Sequence, residues 1–234
     1  MKKLFIIIAI LFSNTVFSQE MKVHKTNGTD ESYILSEIDS ITFSTVNILF
    51  QDDFESYQAN TFPSSGGWVS GPGTNNDIIS NSVFHSPNQS FKLNGVGGDP
   101  GCYRPMSTFP TVTYFEIWIK TPSNTAASDT GAVAFGVRFY FAINFVCKDN
   151  TVRLSDYNTG TGPGLTISTF QPDLWYKVKV KFDKSSNKVS CWIDDVQKIL
   201  NATISPYPSA SLDFGCSVQN LQKEAYLDDL VVWY

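Results

Sequence analysis

The sequence predicts an all-β protein in which antiparallel strands form a two-sheet sandwich of the jelly-roll type. Composition is the first reason: of 234 residues, 14% are aromatic and only 17% are charged, against roughly a quarter charged in an ordinary soluble domain. Such a composition favours packed sheets over long, charged helices. The second reason is the spacing of short strand-like runs between stretches rich in Gly, Pro, Ser and Asn, with almost no helical periodicity.

The overall composition also restricts the function. A hydrophobic content of 42% is too high for a chain that stays disordered. The formal net charge of −5 argues against nucleic acid as a partner, because nucleic-acid binding needs a basic surface.

Residues 1–18 have the pattern of a cleaved signal peptide. Lys2 and Lys3 precede an apolar run at residues 4–12, and small Ser18 ends the segment before Gln19. The run is shorter than the roughly 20 residues that a membrane-spanning helix needs, and no later stretch is apolar enough to span a bilayer. We therefore predict export to the periplasm, the cell surface or the medium. A buried N-terminal strand or helix is the alternative interpretation.

Residues 19–46 form a separate segment in the sequence. Asn27-Gly28 is a strong signal for a two-residue hairpin turn, and alternating apolar and polar residues follow it. The segment resembles a short leader module found near the start of secreted Bacteroidetes proteins. It is too small to hold a hydrophobic core of its own.

The main domain is predicted to cover residues 47–234, a size that fits one all-β domain. A last strand near the C-terminus is expected to lie beside the first strand and so to protect both chain ends. The strand-like runs are residues 91–93, 112–120, 132–147, 165–170, 175–182, 188–193, 211–218 and 225–233.

Four cysteines lie in the main domain, where export would permit disulfides. Four cysteines allow three pairings, and the sequence does not choose among them. No Cys-x-x-Cys pair is present, and only two histidines could join them, so a structural zinc site is not expected. The alternative is that they are small buried apolar residues. They are Cys102, Cys147, Cys191 and Cys216.

Three of the predicted strands present one apolar face and one mixed face. The mixed faces carry tryptophans among charged residues, a combination that suits sugar binding, because flat rings stack on C–H faces while polar groups bind hydroxyls. The alternative is that each Trp only covers the sheet and each Lys is solvated. The first candidates for a glycan site are Trp118, Trp192, Lys177 and Glu116. A second set of aromatics is predicted in loops at one rim: Trp68, Tyr103 and Tyr157.

One hairpin in the sequence has a recognisable pattern. Residues 175–196 read WYKVKVKFDKSSNKVSCWIDDV, which resembles a hairpin of concanavalin A-like lectin/glucanase domains, laminin-G-like members included. Ile193-Asp194-Asp195 stands where those domains usually have Val-Asp-Gly. The stretches DDFESY at residues 52–57, SPNQSFKL at 86–93 and AYLDDLVVW at 225–233 are similar to such domains as well. The resemblance implies two antiparallel sheets and a concave face that often binds glycans.

The same resemblance implies a structural calcium ion between the first and last strands. Calcium prefers several carboxylate and carbonyl oxygens. The alternative is that these acidic residues cap turns at exposed strand ends. The predicted ligands are Asp53, Glu55, Asp228 and Asp229.

The sequence favours binding over catalysis. The laminarinase-like pattern Glu-x-Asp-x-x-Glu appears only as Glu37-Ile-Asp-Ser-Ile-Thr42, with Thr at the last position and outside the main domain. There is no Gly-x-Ser-x-Gly elbow and no phosphate-binding Gly loop. We therefore predict a non-catalytic glycan-binding or adhesion module. The alternatives are a glycoside hydrolase or polysaccharide lyase on the same fold, and a structural or protein-binding module without a sugar site.

Overall fold

The computed structural model describes residues 20–24, 30–34, 46–71, 76–95, 101–106, 109–123, 132–138, 140–156, 164–206, 213–219 and 224–234. Contacts divide the chain into two units, Met1–Thr45 and Val46–Tyr234. The predicted signal segment lies outside the described residues. In the part of the chain that the structure describes, no helix is long and apolar enough to cross a membrane.

The first unit contains one antiparallel hairpin. Strand β1 (Glu20–His24) pairs with β2 (Asp30–Ile34), on either side of the predicted Asn27-Gly28 turn. The turn itself and residues 35–45 are outside the described residues.

In its described residues, the second unit consists of β-strands and one short 3₁₀ turn, Ser64–Gly66. Its strands are β3 (Ile48–Asp52), β4 (Val69–Ser70), β5 (Ile78–Ser80), β6 (Ser90–Asn94), β7 (Gly101–Pro105), β8 (Val112–Lys120), β9 (Ala132–Val137), β10 (Phe141–Val146), β11 (Thr151–Asp156), β12 (Leu165–Thr169), β13 (Trp175–Asp183), β14 (Lys188–Ile193), β15 (Val196–Thr203), β16 (Asp213–Gln219) and β17 (Glu224–Trp233).

These strands form two sheets. In the described residues, a seven-stranded sheet has the order β12-β11-β10-β9-β16-β7-β4, and an eight-stranded sheet has the order β15-β14-β13-β8-β17-β6-β5, with β3 beside β17. The strand pairs of both sheets are antiparallel. The structure therefore confirms the predicted all-β, two-sheet antiparallel sandwich.

Alternation along each strand builds the core between the sheets. On β8 every second residue is buried, because successive side chains of a strand point to opposite faces. Aromatic rings meet across the sandwich: Phe115 lies 5.7 Å from Phe214, and Phe182 lies 5.3 Å from Phe141, between ring centroids. The apolar faces of the two sheets thus pack directly on each other.

The C-terminal strand β17 closes the sandwich. It pairs with β3, β6 and β8, and Asn47 and Tyr234 exchange two backbone hydrogen bonds of 3.2 and 3.1 Å. The last strand therefore lies beside the first strand of the domain, as the sequence predicts. A bulge interrupts its pairing with β8 after Asp228, where Asp229 has a φ of 48°.

Two regions show irregularity that the sequence pattern does not reveal. The run at residues 132–147 is two strands, β9 and β10, joined by a tight turn in which Tyr140 N–H donates to the carbonyl of Val137 (2.9 Å). Edge strand β15 has two register shifts against β14, and Asn201 within it has a φ of 52°.

Candidate functional site

The outer face of the seven-stranded sheet carries two rows of mostly small side chains that cross neighbouring strands. Glycine and alanine project little beyond the backbone, so another molecule can approach these strands closely. We call this surface the groove face. The first row is Tyr103, Gly215, Gly136, Ala142 and Ser155; the second is Gly101, Ser217, Ala134, Asn144 and Arg153.

A cavity of about 200 Å³ opens on the groove face where β7, β16 and β9 meet. Pockets for whole small molecules usually measure roughly 300–1,000 Å³. This cavity is smaller, so it has room for one ring of a longer chain. Its lining includes Gly71, Gly101, Tyr103, Arg138, Gly215 and Ser217.

The two glycines in the first row are there for different reasons. A Cβ at Gly136 would lie 2.4 Å from the carbonyl oxygen of Phe141, so the backbone itself requires glycine there. A Cβ at Gly215 would meet nothing closer than the Cβ of Arg138, at 3.6 Å, which is ordinary contact. Packing therefore does not require glycine at position 215. The lack of a side chain at Gly215 leaves the cavity open at this point.

Tyr103 and Arg138 form a wall of the cavity. The guanidinium carbon of Arg138 lies 4.5 Å from the centroid of the Tyr103 ring, within the range of a cation–π interaction. The side chain of Arg138 also faces Asp213, with 3.9 Å between nitrogen and oxygen. This contact fixes the orientation of a planar group that carries several hydrogen-bond donors.

Polar groups continue along the rows on β10 and β11. Asn144 is 7% exposed, and its Nδ2 donates to Ser155 Oγ at 2.8 Å. The neighbouring Arg153 donates to Thr151 Oγ1 at 2.8 Å and pairs with Asp149. The groove face therefore combines small residues, one aromatic ring and oriented polar side chains.

The structure changes the predicted set of rim aromatics. Trp68 is 2% exposed, and its Nε1 donates to Asp52 Oδ2 (2.7 Å), so it belongs to the core and is unavailable to a ligand. Tyr103 lies on strand β7 and not in a loop. Tyr157 lies outside the described residues.

The first predicted set lies on the outer face of the eight-stranded sheet, as the alternation predicts. Its rings are half-buried and already in contact with protein groups. The imidazole of His85 stacks on Trp118 with 3.7 Å between centroids, and Lys179 lies 5.5 Å from the centroid of Trp192. Lys177 Nζ donates to Asp195 at 2.6 Å.

Glu116 lies on the same face, opposite Lys179 on β13 and Val231 on β17. The strands thus bring Trp118, Trp192, Lys177 and Glu116 onto one surface, but His85 covers part of it.

The loop that carries His85 is attached to the bulge in β17. Asp229 accepts hydrogen bonds from Ser86 Oγ (2.8 Å) and contacts His85 Nδ1 (2.9 Å). A nucleophile–base relay would need Ser86 to bond to His85, which in turn bonds to the acid. Here both residues bond to Asp229, so the arrangement fastens a loop and does not activate a serine.

Asp228 is buried beneath this loop. Its carboxylate is 0% exposed and accepts backbone N–H groups of His85 (2.8 Å), Ser86 (3.1 Å) and Asp229 (2.9 Å). Burial raises the pKa of Asp228 to about 6, and these three hydrogen bonds oppose the rise.

In the structure, three of the predicted calcium ligands accept backbone N–H groups, and Asp229 contacts side chains. Glu55 accepts the N–H groups of Asn88 and Gln89 (3.0 and 2.8 Å), and Asp53 accepts the N–H of Glu55 (3.1 Å). Asp228 and Asp229 bind the His85 loop as described above. Within the described residues, no group of three or more His, Cys, Asp or Glu side chains is placed to hold a metal ion. Calcium therefore stays a prediction of the sequence pattern alone.

Sequence reasoning found Tyr103 but missed the groove face around it. The available signal was the alternation of large and small residues, such as Gly215 between Phe214 and Cys216, or Ala134 and Gly136 among apolar neighbours on β9. Small residues on an outward face give no chemical motif, so only strand pairing shows that they form continuous rows.

Comparisons with known proteins identify a fold and not a family. No protein-family model matches the chain, and no curated protein matches it. Solved structures do match. The carbohydrate recognition domain of Emp46p in its potassium-bound form has a TM-score of 0.54 and 13% identity, over 80% of this chain and 96% of that one.

Two further structures belong to proteins that act on glycans. Domain 4 of AbnA, an extracellular arabinanase from Geobacillus stearothermophilus solved with arabinotriose, has a TM-score of 0.53 and 12% identity, over 81% of this chain and 93% of that one. The alginate lyase Aly36B, solved with an alginate trisaccharide, has a TM-score of 0.55 and 10% identity, over 80% and 97%. A sialidase also matches, but the chain spans only 18% of its length.

These structural similarities define the fold class of the second unit. The second unit is a concanavalin A-like jelly roll, a fold shared by carbohydrate-binding domains and glycan-cleaving enzymes. At identities of 14% or less they show the fold alone, so the function has to be argued from the site.

Proposed function

We propose that the chain is a non-catalytic carbohydrate-binding module whose glycan lies along the groove face. The observation that carries this proposal is the cavity at Gly215, a position where packing leaves room for a Cβ and none is present. A sugar ring entering there would rest against Tyr103 and approach the backbone of β16. The neighbours solved with an arabinotriose and an alginate trisaccharide, and the one named as a carbohydrate recognition domain, support the class of ligand.

Different side chains around the cavity would contact different parts of a sugar. The C–H face of a sugar ring stacks on the Tyr103 ring, while Arg138 and Ser217 are placed to bind hydroxyl or carboxylate oxygens. Asn144 and Ser155 continue the polar surface along the same two rows. Because strands hold these residues except Arg138, which directly follows β9, little conformational entropy is lost when a glycan binds.

The outer face of the eight-stranded sheet is the weaker candidate. His85 occupies one face of the Trp118 ring, and Asp195 binds Lys177. A glycan would have to displace these contacts. At Tyr103, Arg138 covers one face of the ring, but a cavity of about 200 Å³ leaves space beside it.

Site-directed variants distinguish the two faces. The wild-type protein is first screened by glycan array and by affinity electrophoresis in gels that contain single polysaccharides. Against the best ligand, we expect Tyr103→Ala to weaken binding about tenfold, because a buried aromatic stacking contact contributes on the order of 1 kcal/mol or more. Arg138→Ala should weaken binding as well.

Trp192→Ala is the matched control, since it removes an aromatic ring from the opposite sheet. It should leave the affinity within about twofold of wild type. Loss of binding in Trp192→Ala but not in Tyr103→Ala would move the site to the other face. No binding to any polysaccharide by correctly folded wild-type protein would refute the proposal.

A lyase is the second candidate, because Tyr and Arg are residue types that jelly-roll lyases use and Tyr103 and Arg138 lie together here. The described lining of the cavity contains no Asp, Glu or His, so it lacks the pair of carboxylates that a retaining glycosidase needs. Incubation with uronate polysaccharides, followed by ultraviolet absorbance of unsaturated products and by reducing-sugar release, decides between binding and cleavage. Product formation that Tyr103→Phe abolishes would establish the lyase.

We also propose that the chain is exported after removal of residues 1–18. The support is the order of charged, apolar and small residues at the N-terminus. Expression of the full chain in a bacterial host followed by N-terminal sequencing should give a mature protein that begins at Gln19. Retention of Met1 in the purified protein would contradict export by this route.

A further inference from the structure

We propose that Cys102 and Cys216 form a disulfide that links β7 to β16 beneath the groove face. The two residues are direct partners in the antiparallel register, and their Sγ atoms lie 3.0 Å apart. This distance is about 1 Å longer than an S–S bond of ~2.05 Å. Directly opposed residues of antiparallel strands have Cα atoms roughly 4.5 or 5.5 Å apart, and both separations lie within the range of about 4.4–6.8 Å that disulfides span.

The structure chooses among the three pairings that the sequence left open. Cys147 follows β10 in the seven-stranded sheet, and Cys191 lies on β14 in the eight-stranded sheet. Their sulfur atoms contact the carbonyl oxygens of Phe145 (3.9 Å) and Trp192 (3.7 Å). The favoured state is therefore one bridge, Cys102–Cys216, with Cys147 and Cys191 remaining thiols.

The position of the pair indicates when the bridge forms. Cys102 and Cys216 are 3% and 4% exposed, and burial, together with the neighbouring Cys216, raises the pKa of the Cys102 thiol. The thiolate is the reactive form, so a folded protein with both thiols reduced would react slowly. Oxidation is expected while the strands assemble and the sulfurs are still accessible.

The reaction requires an oxidant, and its chemical class is a small-molecule or protein disulfide. One cysteine loses its proton, and its thiolate attacks a sulfur of the oxidant and expels a thiolate. The second cysteine then loses its proton and attacks the protein-side sulfur of this mixed disulfide, expelling the other half of the oxidant. Two protein thiols thus lose two protons and two electrons in total, and the oxidant disulfide becomes two thiols.

The bridge would hold together the two strands whose outer residues line the cavity. Cys102 lies between Gly101 and Tyr103, and Cys216 lies between Gly215 and Ser217, so a covalent bond here fixes the spacing of the strands that line the cavity. It also joins positions 114 residues apart, and closing a long loop restricts the unfolded chain strongly. This inference does not depend on glycan binding.

The test is the redox state of the cysteines in wild-type protein. The reduced chain is refolded in a buffer of reduced and oxidised glutathione, denatured in the presence of iodoacetamide without reductant, digested and analysed by mass spectrometry. We expect alkylation of Cys147 and Cys191 only, with the peptides of Cys102 and Cys216 linked. Alkylation of all four cysteines, a different linked pair, or glutathione attached to Cys102 or Cys216 would overturn the proposal.

Thermal unfolding with and without reductant supplies a second measurement. Reduction should lower the midpoint of wild type by about 5–15 °C. The control variant Cys147→Ala/Cys191→Ala keeps the proposed bridge and should show the same decrease. The variant Cys102→Ala/Cys216→Ala should be insensitive to reductant, and an equal decrease in that variant would contradict the assignment.

Discussion

Asp228 is a carboxylate with no exposed surface, whose oxygens accept three backbone N–H groups from the His85 loop and from its own strand. The hydrogen bonds favour the charged form, but burial outweighs them and raises the pKa of the group to about 6. Asp229 contributes a second negative charge nearby, which acts in the same direction. The outcome is a buried acid that becomes protonated in the weakly acidic range.

This shift predicts a pH dependence of stability. Because the pKa of Asp228 is higher in the folded protein than in the unfolded chain, the folded state holds the proton more tightly. The contribution is fully present below about pH 4 and is lost as the pH rises through 6, by at most about 3 kcal/mol. Urea unfolding of wild type and Asp228→Asn from pH 3.5 to 7.5 should show this slope in wild type only.

The control for this measurement is Asp53→Asn, an exposed carboxylate one strand away. It should keep the wild-type slope. A slope that persists unchanged in Asp228→Asn would assign the pH dependence to another group.

Asp52 is a second buried carboxylate, and it organises the core beside β3. It accepts hydrogen bonds from Trp68 Nε1 (2.7 Å), from the Tyr57 hydroxyl (2.7 Å) and from the N–H of Phe54 (3.1 Å). An acidic residue in the DDFESY stretch that the sequence singled out thus has a structural role.

Replacement of Asp52 should be strongly destabilising. Asp52→Ala leaves the Trp68 donor buried without its partner, and we expect a loss of about 3–5 kcal/mol in the free energy of unfolding. Tyr57→Phe removes one hydroxyl from the same network and should cost about 1 kcal/mol. Chemical denaturation of both variants checks the ranking, and equal losses would show that the network is not centred on Asp52.

At the scale of the strand, two glycines differ in why they are glycine. Gly136 is required by the backbone of the fold, whereas Gly215 only affects the shape of the surface. Gly136→Ala would force a methyl group against the Phe141 carbonyl, and we expect a loss of about 1–3 kcal/mol. Gly215→Ala has room for the methyl group and should stay within about 0.5 kcal/mol of wild type. Thermal unfolding compares the two.

Gly215→Leu extends this comparison to function. A leucine side chain there would project into the cavity and should abolish binding of whichever glycan the wild-type protein retains, while circular dichroism stays unchanged. Normal binding by Gly215→Leu would place the ligand elsewhere.

Sequence patterns predicted strands well where alternation was regular. Residues 112–120 and 188–193 match β8 and β14 at both ends, because each has one continuous apolar face. They predicted one strand at residues 132–147 where the structure has two, since an apolar run gives no sign of a turn when both sides of that turn are buried. The groove face could not be predicted for a similar reason: its rows of small residues are apparent only once the strands are paired.

The whole molecule depends on its last strand. β17 pairs with β3, β6 and β8, so the sheet cannot be completed until residues 224–233 have been synthesised. Deletion of residues 224–234 should abolish cooperative thermal unfolding, because it exposes the core and removes the described partner of β3 and one of the two partners of both β6 and β8. Deletion of Tyr234 alone removes only the two terminal hydrogen bonds with Asn47 and should lower the midpoint by no more than a few degrees.

At this scale the fold was predictable and the position of the candidate site was not. Composition, strand spacing and the hairpin at residues 175–196 were sufficient for a two-sheet sandwich. The first predicted set lies on the sheet that carries Trp118 and Trp192, and of the second set only Tyr103 lines the cavity, because aromatic residues are visible in a sequence. An open space bounded by glycines becomes visible only when the strands are paired.

The irregular edge strand β15 has a consequence for behaviour at high concentration. Val196 and Leu200 are exposed on it, and a long, flat edge with such residues invites a second molecule to add its own strand. The two register shifts and the left-handed Asn201 bend the backbone away from straight pairing. Copies at high concentration would therefore remain separate particles and would not grow into fibres through this edge.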